Sequence, residues 1–369
     1  MDRSSQLESR FNLAIIGGGP AGTAAAITAA RCGRRVLLLE RGRLPRQRVC
    51  GEFVSAESLD LLAGLLREND LLSHAPRIAQ ARLFFDGKTV CAPVDRPAAS
   101  IARYDLDAAL WRAAKNAGVH AELETTVDGI AGEGPFLLST AAGEFCAKAL
   151  IDASGRWSNL RSRPSDGNPG NKWLGLKAHY AEPEPAPSVD LYFFEGGYCG
   201  VQPVTLAGDG NGRINVCAMV RSDRARNLPE VFAACPPLRE RASRWQLLMD
   251  PVTTSPLIFG EPEPVRGNIL LAGDAAGFVD PFVGDGISLA LRSGVLAAQC
   301  LERFLDGQTT ISEAAADYAQ AYRKRLLPVF RNSSKLRRLL ALPRPVRGMI
   351  GHLLETVPAV PRLLVTLTR

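Results

Sequence analysis

The chain has 369 residues, 46% of them hydrophobic and 22% charged, with a formal net charge of +6. This length and composition fit two globular domains or one large interleaved domain with a substantial core. The residues before Leu13 are polar and no window reaches about eighteen uninterrupted apolar residues, so we expect neither a secretory signal nor a membrane-spanning helix. The eight cysteines include no CxxC pair and the four histidines are scattered, which argues against a disulfide framework or a metal site and favours a cytoplasmic protein with reduced thiols.

A complete dinucleotide-binding pattern stands near the N-terminus. A short apolar run predicts a strand, Gly17, Gly19 and Gly22 follow in GxGxxG register before an alanine-rich helix, and a second apolar run ends at Glu40. The glycines allow a tight turn and a close approach of pyrophosphate, and the N-terminus of the helix attracts phosphates. Glu40 has the spacing of the acid that binds ribose hydroxyls, which argues against NADP at this site.

Several further elements are predicted before residue 152. A loop with the step Cys50–Gly51–Glu52 precedes a helix that starts at 55–62, residues 78–95 alternate like a hairpin, and 106–114 has helical periodicity. Short strand-like runs broken by glycines at 123–151 predict a β-meander. The last of these runs, 149–151, is apolar and predicts a buried strand directly before the polar turn at 152–155.

The second half of the chain begins with a different pattern. Residues 172–220 alternate as antiparallel strands, 227–250 read as helical and 251–266 as a loop. A buried-type strand at 269–272 then leads to a helix that starts near 284–286. A nucleotide-binding element that returns this late in the chain implies one extended cofactor lying across the domain.

Three motifs occur in the order GGGPAG, DASGRWSNLR and AGDAAGFVDPFVGDGI. This order resembles that of the FAD-dependent oxidoreductases of the aromatic-hydroxylase, glutathione-reductase-like Rossmann superfamily, and the chain is most similar to its geranylgeranyl reductase family. The resemblance implies an α/β fold with a Rossmann-type FAD-binding domain, an interleaved antiparallel-sheet substrate domain and a C-terminal helical tail. The residues expected along the FAD are Gly17, Gly19, Pro20, Ala21, Gly22, Glu40, Arg41, Arg103, Asp152, Gly155, Gly273, Asp274, Gly284, Gly286 and Ile287.

The domain boundaries follow from the same pattern. We expect one helix at 284–287 to direct its positive end toward the flavin ring, where reduced flavin carries negative charge. The expected segments are FAD-binding parts at 1–75, 101–165 and 261–305, a substrate-domain hairpin at 76–100, a substrate-binding antiparallel sheet at 166–260 and a basic helical region at 306–369.

The resemblance also bears on catalysis. The family's Arg-x-Cys-Gly step stands here at Arg48 to Gly51, and it implies a cysteine near the flavin, so Cys50 and Glu52 are the predicted catalytic residues, although Glu52 could equally cap the following helix. The reductases' Tyr-x-Trp-x-Phe-Pro stretch lacks its Trp and Phe here, and the Trp-x-Trp-x-Ile-Pro stretch of flavin halogenases is missing as well, which argues against halogenation. The side chains predicted to line the substrate pocket are Tyr192, Phe194, Tyr198, Cys199 and Val201.

Two reactions fit these motifs. The first is reduction of a C=C bond in a hydrophobic small molecule by flavin hydride transfer, as in geranylgeranyl reductases. The second is hydroxylation of an aromatic or polyketide-like substrate by a flavin monooxygenase through a C4a-hydroperoxide. Because no second GxGxxG with flanking strands is present, NAD(P)H or another electron donor is expected to dock only transiently.

The basic charge is concentrated at the C-terminus. Residues 320–369 contain eleven Lys and Arg against the single acid Glu355, among leucines and prolines. Short helices of this kind could lie peripherally on the inner membrane face or contact a carrier protein, and they could equally form a packed helical cap with a solvated basic face. Nucleic-acid binding is not expected, because no aromatic residues are interleaved with the basic ones.

Overall fold

The structure is a computed structural model that describes residues 11–67, 70–156, 160, 172–204, 212–254, 256–257, 259–279 and 284–340. Part of the second predicted motif, 157–159, and the basic tail beyond residue 340 lie outside the described residues. The predictions of membrane, carrier-protein or packing contacts for that part of the tail therefore stay predictions.

The elements alternate along the chain between two sheets and their covering helices. In the first half they are β1 (Phe11–Ile16), α1 (Pro20–Arg31), β2 (Val36–Leu39), β3 (Phe53–Val54), α2 (Ala56–Leu66), α3 (Asp70–Ser73), β4 (Arg77–Phe85), β5 (Lys88–Ser100), α4 (Arg103–Asn116), β6 (His120–Glu122), β7 (Val127–Ala131), β8 (Phe136–Thr140) and β9 (Gly143–Asp152). In the second half they are β10 (Trp173–Glu182), β11 (Ser188–Phe194), β12 (Gly197–Pro203), β13 (Gly212–Arg221), α5 (Leu228–Ala233), α6 (Pro236–Ala242), β14 (Gln246–Leu247), β15 (Val252–Thr254), β16 (Val265–Arg266), β17 (Ile269–Leu271), α7 (Gly286–Leu305), α8 (Ile311–Arg325) and α9 (Leu327–Leu340).

The first sheet has the order β16-β17-β9-β1-β2-β6, with β7 and β8 continuing from β9. Strands β1, β2, β6, β9 and β17 pair in parallel. Both faces of β1 are covered, because Leu13 and Ile15 pack in the core formed with α1, α4 and α7, whereas Ala14 and Ile16 pack against the β7–β8 meander. A parallel strand buried on both faces needs a continuous apolar run, which is the pattern that predicted it.

The second sheet has the order β14-β10-β13-β12-β11-β4-β5-β3, with β15 also paired to β10. Its pairs are antiparallel except β11 with β4. One face packs against α5 and α6 around side chains such as Leu176, Val216 and Leu238. The opposite face looks toward the first sheet, so this sheet has a packed outer face and an inner face that forms a cavity wall.

The structure confirms the predicted α/β class, with a Rossmann-type sheet and an interleaved, mainly antiparallel sheet. Two element predictions were wrong in detail. The stretch 227–250 is helical only to Ala242, after which Gln246–Leu247 adds a strand to the edge of β10. The stretch 251–266 contains β15 and β16, two strands too short to show a periodicity.

Strand β3 also differs from expectation, since it lies in the first predicted FAD-binding segment but pairs with β5 in the second sheet. Among the described residues, no helix combines the length and the apolar character needed to span a membrane.

Candidate active site

A cavity of about 700 Å³ lies between the two sheets. One end is formed by the loops at the carboxyl ends of the first sheet, including Gly19, Glu40 and Asp274. The remaining wall is the inner face of the second sheet, with Leu191 and Tyr198 among its side chains. Ligands of open α/β sheets bind outside the carboxyl ends of the strands, so this cavity is the candidate active site.

The turn between β1 and α1 has the shape that a pyrophosphate requires. A Cβ on Gly22 would lie 1.9 Å from the carbonyl oxygen of Gly17, and a Cβ on Gly17 would lie 2.3 Å from the carbonyl oxygen of Ala153. A Cβ on Gly19, in contrast, would meet nothing within 4 Å, because this residue faces the cavity. Gly17 and Gly22 thus allow close backbone packing, and Gly19 leaves open space at the helix N-terminus for a ligand.

Glu40 lies at the end of β2, directly beside this turn. Its carboxylate accepts hydrogen bonds from the backbone N–H groups of Gly18, at 2.8 Å, and Gly42, at 3.0 Å. The side chain of Arg46 donates to the same carboxylate at 2.6 Å. These contacts hold the acid at the cavity rim, where the ribose of a dinucleotide is expected, and the neighbouring Arg41 lines the same rim.

The polar turn after β9 forms the next part of the wall. Asp152 is buried, and its carboxylate accepts hydrogen bonds from the backbone N–H of Ser154, at 2.9 Å, and from the Ser154 hydroxyl. Gly155 lines the cavity but Asp152 does not. The Asp152 carboxylate turns back onto its own chain and shapes the loop that lines the cavity, so its expected place along the FAD stays a prediction of an indirect role.

Gly273 and Asp274 follow β17 in a short 3₁₀ helix and line the cavity. The Asp274 carboxylate lies 3.4 Å from Nε of Arg156, whose guanidinium stands 4.0 Å above the ring of Phe278. The structural alternative for an aspartate in this position, a helix N-cap, does not apply, because Ala272 occupies the cap. Asp274 therefore presents its carboxyl group to the cavity, where burial raises its pKa although Arg156 and Arg103 act to lower it.

The start of α7 completes the part of the cavity suited to a flavin. Gly284, Gly286 and Ile287 line the cavity, and a Cβ on Gly286 would meet nothing within 4 Å. Gly284 has a positive φ of 73°, and a Cβ there would lie 2.9 Å from the ring of Phe53. The helix N-terminus thus opens onto free space with its partial positive charge directed at it. Together with the glycine turn of α1, these features fit an extended FAD molecule.

Cys50 lies in the wall between the FAD-binding end and the second sheet. Its carbonyl oxygen accepts a hydrogen bond from Nδ2 of Asn215 at 3.0 Å, and its sulfur accepts one from the N–H of Glu52 at 3.3 Å. Burial raises the pKa of the Cys50 thiol. The side chain is therefore a protonated thiol at neutral pH, which is a proton donor rather than a nucleophile.

Glu52 has a different environment from the one expected of a catalytic acid. It is wholly buried, and its carboxylate accepts hydrogen bonds from Nε2 of His179, at 2.7 Å, and from Nζ of Lys177. Burial raises the pKa of this carboxyl, but His179 and Lys177 outweigh that effect and hold the pKa below its usual value. Glu52 lines the cavity, but because these groups occupy its carboxylate it is an ionised anchor in the wall, and its predicted catalytic role stays a prediction.

Glu52 does cap a helix, but not the one that follows it. Its Oε1 accepts a hydrogen bond from the N–H of Arg103 at 2.8 Å, at the start of α4, whereas α2 begins after Ser55. The Arg103 guanidinium lines the cavity and donates to Asp107 at 2.9 and 2.8 Å. Burial lowers the pKa of Arg103, but Asp107 and Cys50 raise it above its usual value overall, so this cation is fixed beside the predicted cofactor path.

Only Tyr198 of the predicted substrate residues lines the cavity. The other four pack in the outer core against α5 and α6, and the Tyr192 hydroxyl accepts a hydrogen bond from Arg241 at 3.0 Å. Side chains alternate across a strand, so residues one position away face the cavity instead. The wrongly placed residues are Tyr192, Phe194, Cys199 and Val201.

The apolar wall missed by the sequence analysis comes from three strands, β4, β11 and β13. Its side chains lie on the inner face of the second sheet and are Leu83, Phe85, Leu191, Phe193 and Met219. Alternation along β11 places Leu191 and Phe193 on one face and Tyr192 and Phe194 on the other. Because both faces are apolar, hydropathy alone did not show which of them lines the cavity. Lys177 and His179 were missed for another reason, since nothing local marks them as partners of Glu52.

A parallel nucleotide sheet, two helix N-termini facing one cavity and an antiparallel sheet as its wall fit the binding of an extended dinucleotide cofactor such as FAD. A family model described as FAD dependent oxidoreductase matches residues 12–74. The chain is an FAD-dependent oxidoreductase, as the order of its motifs predicts.

The relatives cover most of the chain and carry out different reactions. A menaquinone reductase of Mycolicibacterium smegmatis is 28% identical, with 92% of this chain and 86% of the relative covered. A flavin-dependent halogenase of Armillaria mellea is 27% identical, with 84% and 68% covered. The solved structure of a geranylgeranyl bacteriochlorophyll reductase-like protein from Thermoplasma acidophilum has a TM-score of 0.72 at 21% identity, covering 95% of this chain and 91% of that one, which shows a shared fold.

Proposed function

We propose that this protein is a reductase of a carbon–carbon double bond in an extended hydrophobic molecule. The observation that carries the proposal is the position of Cys50, a protonated thiol in the wall between the FAD-binding residues and an apolar surface. Addition of hydrogen across a C=C bond needs a hydride on one carbon and a proton on the other. The cavity offers a site for the hydride donor and a weak acid beside it.

The protein contributes binding, orientation and the proton. FAD supplies hydride transfer when bound. The side chains of Leu191, Phe193 and Met219 hold an apolar chain against the second sheet and exclude water from it. Cys50 then gives its thiol proton to the second carbon of the double bond, and the resulting thiolate takes a proton from water. Two electrons for each turnover come from a transiently docked nicotinamide or another reduced carrier.

The reductases among the relatives support this proposal, and one of them is named for menaquinone, a quinone with an isoprenoid chain. The matching test is an anaerobic single turnover of chemically reduced, FAD-loaded enzyme with a menaquinone that has a short isoprenoid chain. The expected product is two mass units heavier in its side chain and stays so after air reoxidises the quinol ring. This step separates side-chain reduction from simple reduction of the quinone.

Variants of two cysteines test whether Cys50 supplies the proton. We expect Cys50→Ala to lower the turnover rate about 100-fold, because general acid catalysis contributes about that much, while the rate of flavin reduction by dithionite is unchanged. Cys32→Ala is the matched control, since Cys32 is exposed at the end of α1. Full turnover in Cys50→Ala, or no side-chain reduction in the native enzyme, would refute the proposed reaction.

The halogenases among the relatives favour a second candidate, an oxygen-dependent reaction on an aromatic ring. The missing Trp and Phe of the reductase stretch agree with it, because Gly200 and Gln202 leave a wider surface beside Tyr198. In this case, addition of oxygen to the reduced enzyme with an aromatic or polyketide-like compound yields a product heavier by one oxygen atom. That product, without side-chain reduction under anaerobic conditions, would establish a monooxygenase instead.

A further inference from the structure

A buried ionic cluster lies behind Cys50. Glu52 and Lys177 have no exposed surface and His179 is 3% exposed. The cluster joins three segments that are distant in sequence: the loop that contains Cys50, strand β10 of the second sheet, and the start of α4 at Arg103. It therefore connects the FAD-binding half and the substrate half where they meet at the cavity.

Stability alone does not explain this cluster. Taking charges out of water costs about as much as their attraction returns, and well-packed apolar side chains of similar volume often stabilise a protein equally well. Glu52 also has a positive φ of 59°, an uncommon backbone conformation for a residue with a side chain. A charged residue in a strained conformation indicates that its position matters to the neighbouring site.

The neighbour in question is Cys50, two residues earlier. The N–H of Glu52 donates to the Cys50 sulfur at 3.3 Å, so the backbone of the anchor residue holds the thiol directly. The charged and titratable groups that act on this thiol are Glu52, Arg103, Arg156, Lys177 and Cys217. Glu52 is the carboxylate of this group of five, and the arginines and the lysine are cations.

We propose that Glu52 is a positioning residue that fixes Cys50 in the cavity wall and, as the counter-charge to Lys177, keeps the Cys50 thiol in its neutral, proton-donating form. This inference rests on the proposed function, in which Cys50 gives a proton to the substrate. Burial mainly raises the pKa of Cys50 and the Glu52 carboxylate charge raises it as well, whereas Arg103, the hydrogen bond from the Glu52 N–H and Lys177 lower it. Exchange of the Glu52 side chain leaves this N–H in place and changes only the charge.

Removal of the negative charge of Glu52 and removal of the positive charge of Lys177 are expected to shift the pKa of the Cys50 thiol in opposite directions. Glu52→Gln preserves the shape of the side chain but removes the negative charge, so Lys177 loses its counter-charge beside Cys50 and the pKa of the thiol falls. Lys177→Met removes a cation, so the pKa of the thiol rises. In the double variant Glu52→Leu with Lys177→Met both charges are gone, and the pKa stays close to that of the native protein.

The experiment measures the pH dependence of Cys50 alkylation in the oxidised, FAD-loaded enzyme. Iodoacetamide reacts with the thiolate, and mass spectrometry of the Cys50 peptide gives the rate from about pH 6 to about pH 10. We expect the midpoint to fall by about 1 pH unit in Glu52→Gln and to rise in Lys177→Met. The exposed Cys32, measured in the same samples, serves as the internal control and keeps one midpoint in all variants.

The two directions separate a positional and electrostatic role from simple loosening of the loop. A loosened loop exposes the thiol in every variant and moves every midpoint toward that of an exposed cysteine, so an upward shift in Lys177→Met cannot come from it. Should Glu52→Gln fail to retain FAD, the native, Lys177→Met and double variants still test the proposal. An unchanged midpoint in FAD-loaded Lys177→Met, or a downward one, overturns it.

The alkylation experiment needs no substrate, so its outcome is independent of the proposed reaction. Opposite shifts with full turnover in Cys50→Ala would uphold the electrostatic role of Glu52 and reject the reductase mechanism. Loss of turnover in Cys50→Ala, together with unchanged alkylation midpoints in the cluster variants, would support the reductase mechanism and reject the electrostatic role of Glu52.

Discussion

Replacement of Gly19 by alanine tests whether the α1 turn binds a pyrophosphate. Gly19 is the N-cap of α1 with φ −77°, a conformation that alanine adopts without strain. A Cβ at this position would contact no protein atom within 4 Å and would project into the cavity. The substitution therefore changes the ligand's space without changing the protein's packing.

The expected effects on stability and on FAD binding differ greatly. Alanine reduces the entropy of the unfolded chain, which stabilises by about 0.4–1 kcal/mol, but it is a poorer N-cap than glycine by a similar amount. We therefore expect the free energy of unfolding of the FAD-free protein to change by less than about 0.5 kcal/mol. A methyl group where the backbone must meet the pyrophosphate should weaken FAD binding about 10- to 100-fold, or about 1.4–2.8 kcal/mol.

The assay combines urea unfolding of the FAD-free protein with FAD titration followed by flavin fluorescence. Gly22→Ala is the matched control, because its Cβ would overlap the carbonyl oxygen of Gly17 at 1.9 Å and should impair both folding and FAD binding. Native FAD affinity in Gly19→Ala would show that the pyrophosphate does not lie at this turn, and the assignment of the cavity would then be wrong.

Three further predictions concern stability. Tyr318→Phe removes the hydroxyl that donates to the carbonyl of Leu271 at 2.8 Å, and should cost about 1–2 kcal/mol in urea unfolding; a change below about 0.5 kcal/mol would contradict this. Arg241→Met removes the guanidinium from the buried Asp190 carboxylate at 2.6 Å and from the half-buried Glu182 carboxylate at 2.7 Å, and should cost about 3 kcal/mol, whereas an unchanged melting temperature would refute the contribution of these ion pairs. Ion pairs hold the pKa values of Glu52 and Glu182 below the usual 4.5, so these groups stabilise the fold above that pH and the stabilisation is lost as the pH falls below it. Urea unfolding between about pH 3 and pH 7 checks the sign, and stability that rises toward low pH would contradict it.

Local patterns predicted the FAD-binding half well. The strand-turn-helix at β1 and α1, the acid at the end of β2 and the helix that starts at Gly286 are encoded within short stretches of sequence. The glycines mark places where backbone and ligand approach closely, a requirement that no other residue type meets. Such features depend on neighbours in the chain, so they can be recognised without knowledge of the fold.

The substrate half was harder to predict because its determinants are not local. Which face of β11 lines the cavity depends on where α5 and α6 pack, and both faces of that strand are apolar. Glu52 was recognised as a functional candidate, but its partners Lys177 and His179 lie more than a hundred residues later, on β10. An ionic cluster that forms only through tertiary contacts leaves no regular spacing in the sequence, so no sequence pattern predicts it.

The packing of α1 against α7 has a consequence for cofactor choice. A Cβ on Gly294 of α7 would lie 2.0 Å from the carbonyl oxygen of Ala21 in α1, so the two helices touch backbone to backbone. Helices in such contact cannot slide or separate independently, and their two N-termini therefore keep a fixed distance from each other. The distance between the N-termini of α1 and α7 therefore selects the cofactor by its length. A dinucleotide such as FAD is long enough to contact both N-termini, whereas a mononucleotide such as FMN can contact only one of them.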